Sequence, residues 1–138
     1  IENSQVIHAG TMNSCNPCVA AALATINVLE KENVHEKLFR LGKRLMEKLQ
    51  NAAQETGQPL LVQGMGPMFH TGFTDATEVR DYRGTLAYDK AKLGQFVGGM
   101  SERGIRIIGR GLWYICAAHS EADIDRAAAT ATEVLKSM

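Results

Sequence analysis

The sequence predicts an α+β fold, a small and mostly antiparallel sheet with helices laid on one face. Apolar residues recur at helical spacing in four segments, and short apolar stretches bounded by glycine and proline lie between them. The order is helix, helix, strands, helix, strands, helix, with no repeat and no linker-like tract. At 138 residues, 45% hydrophobic and 22% charged, the chain has the size and balance of one soluble globular domain.

A short stretch around Gln5–His8 leads into a loop, 9–15. Asn16-Pro17 then reads as the N-cap and first residue of a helix, because the Asn side chain accepts an orphan N–H and Pro has none to lose. Val19, Leu23, Ile26 and Leu29 line one side of it. Asn33 to Glu36 has the form of a capping box opening a second helix. That helix is striped by Leu38, Leu41, Leu45 and Leu49 and is stopped by Gly57. Strands are expected at 60–63 and 68–74, parted by Gly64, Gly66 and Pro67. A polar stretch with Asp75, Asp81 and Arg83 reads as an exposed loop. The third helix, from about Asp89, turns Leu93, Phe96, Val97 and Met100 inward and ends near Gly104. Strands at 105–108 and 112–117 flank a Gly109-Arg110-Gly111 turn. Ser120 with Asp123 caps the last helix, whose inner face is Ile124, Ala127, Ala131, Val134 and Leu135.

Fifteen Lys and Arg offset fifteen Asp and Glu, so no general pull toward nucleic acid or an anionic membrane is expected. No apolar run approaches the ~20 residues of a membrane span, and the first residues lack the basic and apolar regions of a signal peptide. Three cysteines cannot all pair with one another, and so few suit a reducing compartment. The expected location is cytoplasmic. The chain opens on Ile1 rather than Met, from which a preceding segment is expected.

The segment His8-Ala9-Gly10-Thr11-Met12-Asn13-Ser14-Cys15-Asn16-Pro17 brings glycine and hydroxyls to a helix N-terminus. Free N–H groups and the positive end of the helix dipole suit a phosphate there, although most such loops are only capped turns. The run H-A-G-T-x-N, then N-P and an alanine-rich helix, resembles the segment that opens the C-terminal portion of class III aminotransferases dependent on pyridoxal phosphate (PLP). Further motifs follow in the family's order. They are Gly64-Met65-Gly66-Pro67-Met68-Phe69 with Phe73-Thr74-Asp75, then Glu102-Arg103-Gly104-Ile105, then Ala117-Ala118-His119-Ser120-Glu121-Ala122-Asp123-Ile124-Asp125. The resemblance spans nearly the whole chain and is nearest the branch that holds glutamate-1-semialdehyde aminomutase.

This resemblance implies the C-terminal small domain of a fold-type-I PLP enzyme. Residues 1–16 would be a phosphate-contacting loop and connection from a large domain, and 17–138 the small domain. It implies a homodimer in which Thr11 gives its hydroxyl and backbone N–H to the PLP phosphate in the partner's site. Gly10 lets the backbone approach closely. Arg110, with Leu112 and Trp113 beside it, falls where the family shapes its substrate pocket, and an arginine there grips a carboxylate with two N–H groups. The substrates implied are a small-molecule amino donor and acceptor, with the amine exchanged between two molecules or within one. Between Thr11 and Pro17 the chain has one residue more than the family's G-T-x-N-x-N-P spacing, which bears on Asn13 and Ser14 and leaves Thr11 in place.

In the family, the Schiff-base lysine and the carboxylate that pairs with the pyridine nitrogen lie upstream of the H-A-G-T run. The lysines here fall in amphipathic helical patterns and match no such motif. No catalytic residue is assigned, and the chain alone is expected not to transaminate. Competing readings are weaker. Cys15-Asn16-Pro17-Cys18 is a C-x-P-C at a helix start, where thioredoxin-like proteins keep a reactive thiol. Those folds need a strand where 33–54 carries a clean helical stripe. A zinc site lacks a second closely spaced ligand pair. Trp113 and Tyr114 suit a strand core as readily as a pocket. A noncatalytic dimerisation module of the same fold would share every motif.

Overall fold

The computed structural model describes residues Gly10–Met138, and the chain divides into two compact units between His35 and Glu36. The stretch around Gln5–His8 and the first two residues of the H-A-G-T run lie outside the described residues. In the first unit, two turns precede a helix. The Asn13 N–H donates to the Gly10 carbonyl and the Cys15 N–H to the Met12 carbonyl, both at 3.1 Å. Helix α1 (Asn16–Lys31) follows, with Cys15 rather than Asn16 as its N-cap. The Cys15 carbonyl already accepts the first helical bond, from the Val19 N–H at 3.0 Å, which moves the start one residue upstream of the expected cap. None of its residues is buried. The sequence boundary at 16/17 therefore falls inside this unit.

Helix α2 (Val34–Thr56) begins at the division. Asn33, just before it, adopts φ 50°, the left-handed region that asparagine tolerates better than most residues, rather than the extended backbone of an ordinary N-cap. Along α2 the stripe Leu41, Leu45 and Leu49 is buried as its spacing requires, joined by Ala52 and Ala53. Strands β1 (Leu60–Met65), β2 (Met68–Phe73) and β3 (Leu112–Tyr114) form an antiparallel sheet in that order. Their register sets Val62 opposite Thr71 and Phe69 opposite Trp113. Because side chains alternate between faces, one face holds Leu60, Val62, Phe69, Phe73 and Trp113 in the core.

Helices α3 (Lys90–Glu102) and α4 (Glu121–Lys136) complete that core with Phe96, Met100, Ile124, Val134 and Leu135. Phe69 stacks on Trp113 at 5.6 Å between ring centroids, and Phe96 meets Phe73 edge-on at 5.9 Å. Both helices start as local chemistry dictates. Asp89 accepts the Ala91 and Lys92 N–H groups, and Ser120 with Asp123 forms the expected capping box. No helix among the described residues is long and apolar enough to cross a membrane.

Two expected strands differ. Residues 105–108 do not form one. The Ile105 N–H is tied back to the Met100 carbonyl at the end of α3, and only Ile108 bridges Leu112. The stretch 112–117 shortens to β3, although the Ile115 N–H still bonds the Pro67 carbonyl at 2.9 Å. Inside the polar loop a 3₁₀ turn forms at Gly84–Ala87, where Asp81 accepts the Gly84 N–H at 2.9 Å.

Ion pairs join α2 to α4. Arg44 bonds both carboxylate oxygens of Asp125, at 2.9 and 2.8 Å, Lys48 approaches it at 3.5 Å, and Arg40 pairs with Glu121. The Arg44 hydrogen bond, followed by the charges of Arg44 and Lys48, pulls the Asp125 carboxyl down to about 2. A carboxyl depressed in the folded state stabilises the fold above its unfolded value of about 4, and that contribution fades as pH falls from there toward 2. Urea midpoints measured across this window should drop more steeply for the native chain than for Asp125→Asn, whose curve should be flatter.

Candidate functional site

The residues singled out by sequence fall in two places, one in each unit. In the first, a β-carbon on Gly10 would lie 2.7 Å from the Asn13 side-chain oxygen, a contact that this exposed side chain relieves by turning away. Thr11 is exposed beside it, and its hydroxyl and N–H have no partner among the described residues. No side chain caps the start of α1, which leaves early helix N–H groups open at the positive end of the dipole. This donor set fits the phosphate end of PLP. Cys15 is half-buried and Cys18 exposed, both as free thiols. Helix α1 is followed directly by α2, so the strand that a thioredoxin-like topology needs between them is absent from the described residues.

In the second unit, Arg110 stands at the tip of the turn leading into β3. Gly111 makes that turn feasible. It sits at φ 79°, and a β-carbon there would come within 2.1 Å of the Thr71 carbonyl. The Gly111 carbonyl accepts the Thr71 N–H at 2.8 Å, and the Gly111 N–H donates to the Ile108 carbonyl at 2.7 Å, which fastens the turn to β2. Arg110 and Leu112 line a cavity of about 540 Å³ beside the 3₁₀ turn. Trp113 faces the other way. It is 4% exposed and stacked on Phe69, and its indole N–H donates to the Thr71 hydroxyl at 3.1 Å. The structure therefore brings Arg110 and Leu112 to one cavity and places Trp113 in the core on the opposite face.

Sequence reasoning did not single out the rest of this cavity. His70, on the outward face of β2, shares a 2.6 Å hydrogen bond between its Nε2 and the Tyr88 hydroxyl, and the two rings stack. Tyr88 lies in the segment read as an exposed loop, yet it is buried, and burial pushes its phenol pKa up. Its ring rests against Gly72, where any β-carbon would be 2.2 Å away. The strict alternation Phe69, His70, Thr71 gave the one available signal, since it sends His70 away from the core. No group of three or more His, Cys, Asp or Glu suited to a metal occurs among the described residues.

The chain is 38% identical over 135 residues to a glutamate-1-semialdehyde 2,1-aminomutase of Desulfitobacterium hafniense, covering 96% of this chain and 31% of the relative. Among solved structures it overlays a β-phenylalanine aminotransferase from Variovorax paradoxus with a TM-score of 0.84 and 23% identity, over 93% of this chain and 30% of that one. It also overlays a glutamate-1-semialdehyde aminomutase from Pseudomonas aeruginosa PAO1, solved with PMP, with a TM-score of 0.79 and 18% identity, over 96% of this chain and 30% of that one. The chain is similar to the class III aminotransferases that use PLP. No family model matches it. It spans about a third of the length of the curated relatives it resembles, 31%. The α+β architecture is theirs over that third.

The pairing of Trp113 with Thr71 can be probed directly. Thr71→Val removes the acceptor and strands a buried indole N–H, which should cost about 1–3 kcal/mol in urea denaturation. Unchanged stability would mean that the hydrogen bond holds nothing in place.

Proposed function

We propose that this chain serves as the C-terminal small-domain portion of a PLP-dependent class III aminotransferase, which moves an amino group between an amino acid or amine and a carbonyl compound. The likeness to an aminomutase over 96% of the chain carries this reading. In it, residues 1–16 contact the phosphate and connect to a large domain, 17–138 act as the small domain, and the lysine that binds PLP belongs to the rest of the enzyme. The enzyme works as a cytoplasmic homodimer on small molecules.

PLP, when bound, supplies the electron sink at the substrate carbon. The work of this chain's own residues is binding and orientation. Thr11 donates its hydroxyl and N–H to the phosphate of the partner subunit's cofactor, and Gly10 permits the close approach. Arg110 takes the substrate carboxylate through a two-pronged bond. Trp113 acts at one remove, holding β3 on β2 so that the turn presents Arg110. A second reading, in which the amine moves within one molecule, is favoured by the 38% identity to an aminomutase. Turnover without any added amino acceptor separates it from the first.

Purified alone, the 138-residue chain should show no aminotransferase turnover with added PLP. In the full-length enzyme Thr11→Ala removes a charge-assisted bond of about 1.5–3 kcal/mol, so PLP should dissociate roughly ten- to a hundred-fold more readily. Arg110→Ala should leave PLP affinity alone and raise KM for an amino acid but not for its decarboxylated amine. Equal losses on the two substrates would sink the carboxylate role.

A further inference from the structure

The start of α1 carries two thiols that the proposed function leaves unused. Cys15 is the N-cap, Asn16 and Pro17 are the first two helical residues, and Cys18 is the third. Both cysteines are free, Cys15 half-buried and Cys18 exposed. An N-cap side chain and the side chain three residues on can meet over the open end of a helix, which is how a capping box works. The same chain shows this at α4, where the hydroxyl of the N-cap Ser120 lies 2.7 Å from the carboxylate of Asp123. The backbone at α1 is built alike. Cys15 is extended, at φ -63° and ψ 107°, and its carbonyl accepts the Val19 N–H at 3.0 Å. Pro17 holds the turn between the two cysteines in the helical range of φ. The Cys15 side chain makes no capping hydrogen bond, so its sulfur is free to turn toward Cys18. The β-carbons of residues three apart on a helix lie about 5–6 Å apart, and a disulfide needs about 3.5–4.5 Å. A small closure of the first turn completes the bond.

We infer that Cys15 and Cys18 form a reversible dithiol–disulfide site, oxidised by exchange with a small-molecule disulfide of the glutathione type. The exposed Cys18 thiolate attacks one sulfur of glutathione disulfide. A Cys18–glutathione bond forms, the reagent's own S–S bond breaks, and one glutathione leaves as a thiolate. The Cys15 thiolate then attacks the Cys18 sulfur, the Cys15–Cys18 bond forms, and the second glutathione leaves. The two cysteine protons end on the two glutathiones, so two thiols are oxidised as one disulfide is reduced. The bond supplies what α1 lacks, a side-chain tie between its N-cap and its third residue. Helix α1 buries none of its residues, so no core packing among the described residues fixes its start. A thioredoxin-like strand between α1 and α2 is absent from the described residues, which makes this an exchange that the chain undergoes, not one that it performs on other proteins.

The test takes the 138-residue chain through mixtures of reduced and oxidised glutathione, in buffer and in denaturing urea. Oxidation should remove two of the three free thiols and leave Cys116. The tryptic peptide that ends at Lys31 should become lighter by two hydrogens, and reduced glutathione should restore it. The folded helix start holds the thiols at high effective concentration, so the bond should form at several-fold less glutathione disulfide in buffer than in urea. Cys15→Ser should stop the reaction at a glutathione adduct on Cys18, and Cys116→Ser should change nothing. Serine is itself a good N-cap, so Cys15→Ser keeps the helix start. Persistence of all three thiols, a bond that involves Cys116, or equal oxidation in buffer and in urea would overturn the site. PLP takes no part in these measurements, so they succeed or fail separately from the phosphate contact of Thr11.

Discussion

Thr71 is completely buried, and its polar groups are answered only when β3 lies where it does. Its N–H donates to the Gly111 carbonyl, and its hydroxyl accepts the Trp113 indole N–H. A buried polar group left unanswered is expensive, so the register Phe69 opposite Trp113 is strongly specified. Slipping β3 by one residue would turn the indole outward, bring Tyr114 in and leave the buried Thr71 N–H and hydroxyl unanswered. The turn that carries Arg110 inherits its position from this arrangement. So does the cavity, one wall of which is Leu112, the β3 residue that faces away from the core. A threonine on the inner face of the sheet thus settles what is offered on the outer face.

The helices were legible because their causes are local. The leucine stripe of α2, the start of α3 at about Asp89 and the Ser120–Asp123 box of α4 all read correctly from spacing and side-chain chemistry. Residues 105–108 misled because Ile105 and Ile107 alternate as a strand would, whereas strand status depends on a partner that sequence does not display. That backbone is spent on closing the end of α3 instead. Trp113 fitted two readings until its indole N–H found Thr71, a residue 42 positions away. Arg110 was visible through its motif and its flanking glycines. Lys90, His70 and Tyr88 were not, because what unites them is a cavity formed by a loop folding back over the sheet. Tyr88 in particular sits in polar company along the chain and becomes buried only through its fit against Gly72.

A net charge of zero conceals an uneven distribution. Between α2 and α4 the opposite charges are matched closely enough that Asp125 serves two cations. Exposed pairs of this kind contribute modestly to stability but fix which helix faces which. Other basic side chains of the unit, among them Arg83, Lys92, Arg106 and Arg110, have no ion pair among the described residues. Charge is matched closely only where it aligns these two helices.

Helices α2 and α4 open and close the second unit, and Arg44 reaches Asp125 across 81 positions of chain. Closing so long a loop is only modestly harder than closing a short one, since the entropy grows with the logarithm of length. The delay during synthesis is another matter. A ribosome adding about 5–20 residues per second makes Asp125 roughly four to sixteen seconds after Arg44. Through that interval Leu41, Leu45 and Leu49 emerge with no Ile124, Val134 or Leu135 to cover them. Until α4 arrives, only the sheet and α3 are available to cover the leucine stripe of α2, so the core is completed by the last helix to be made.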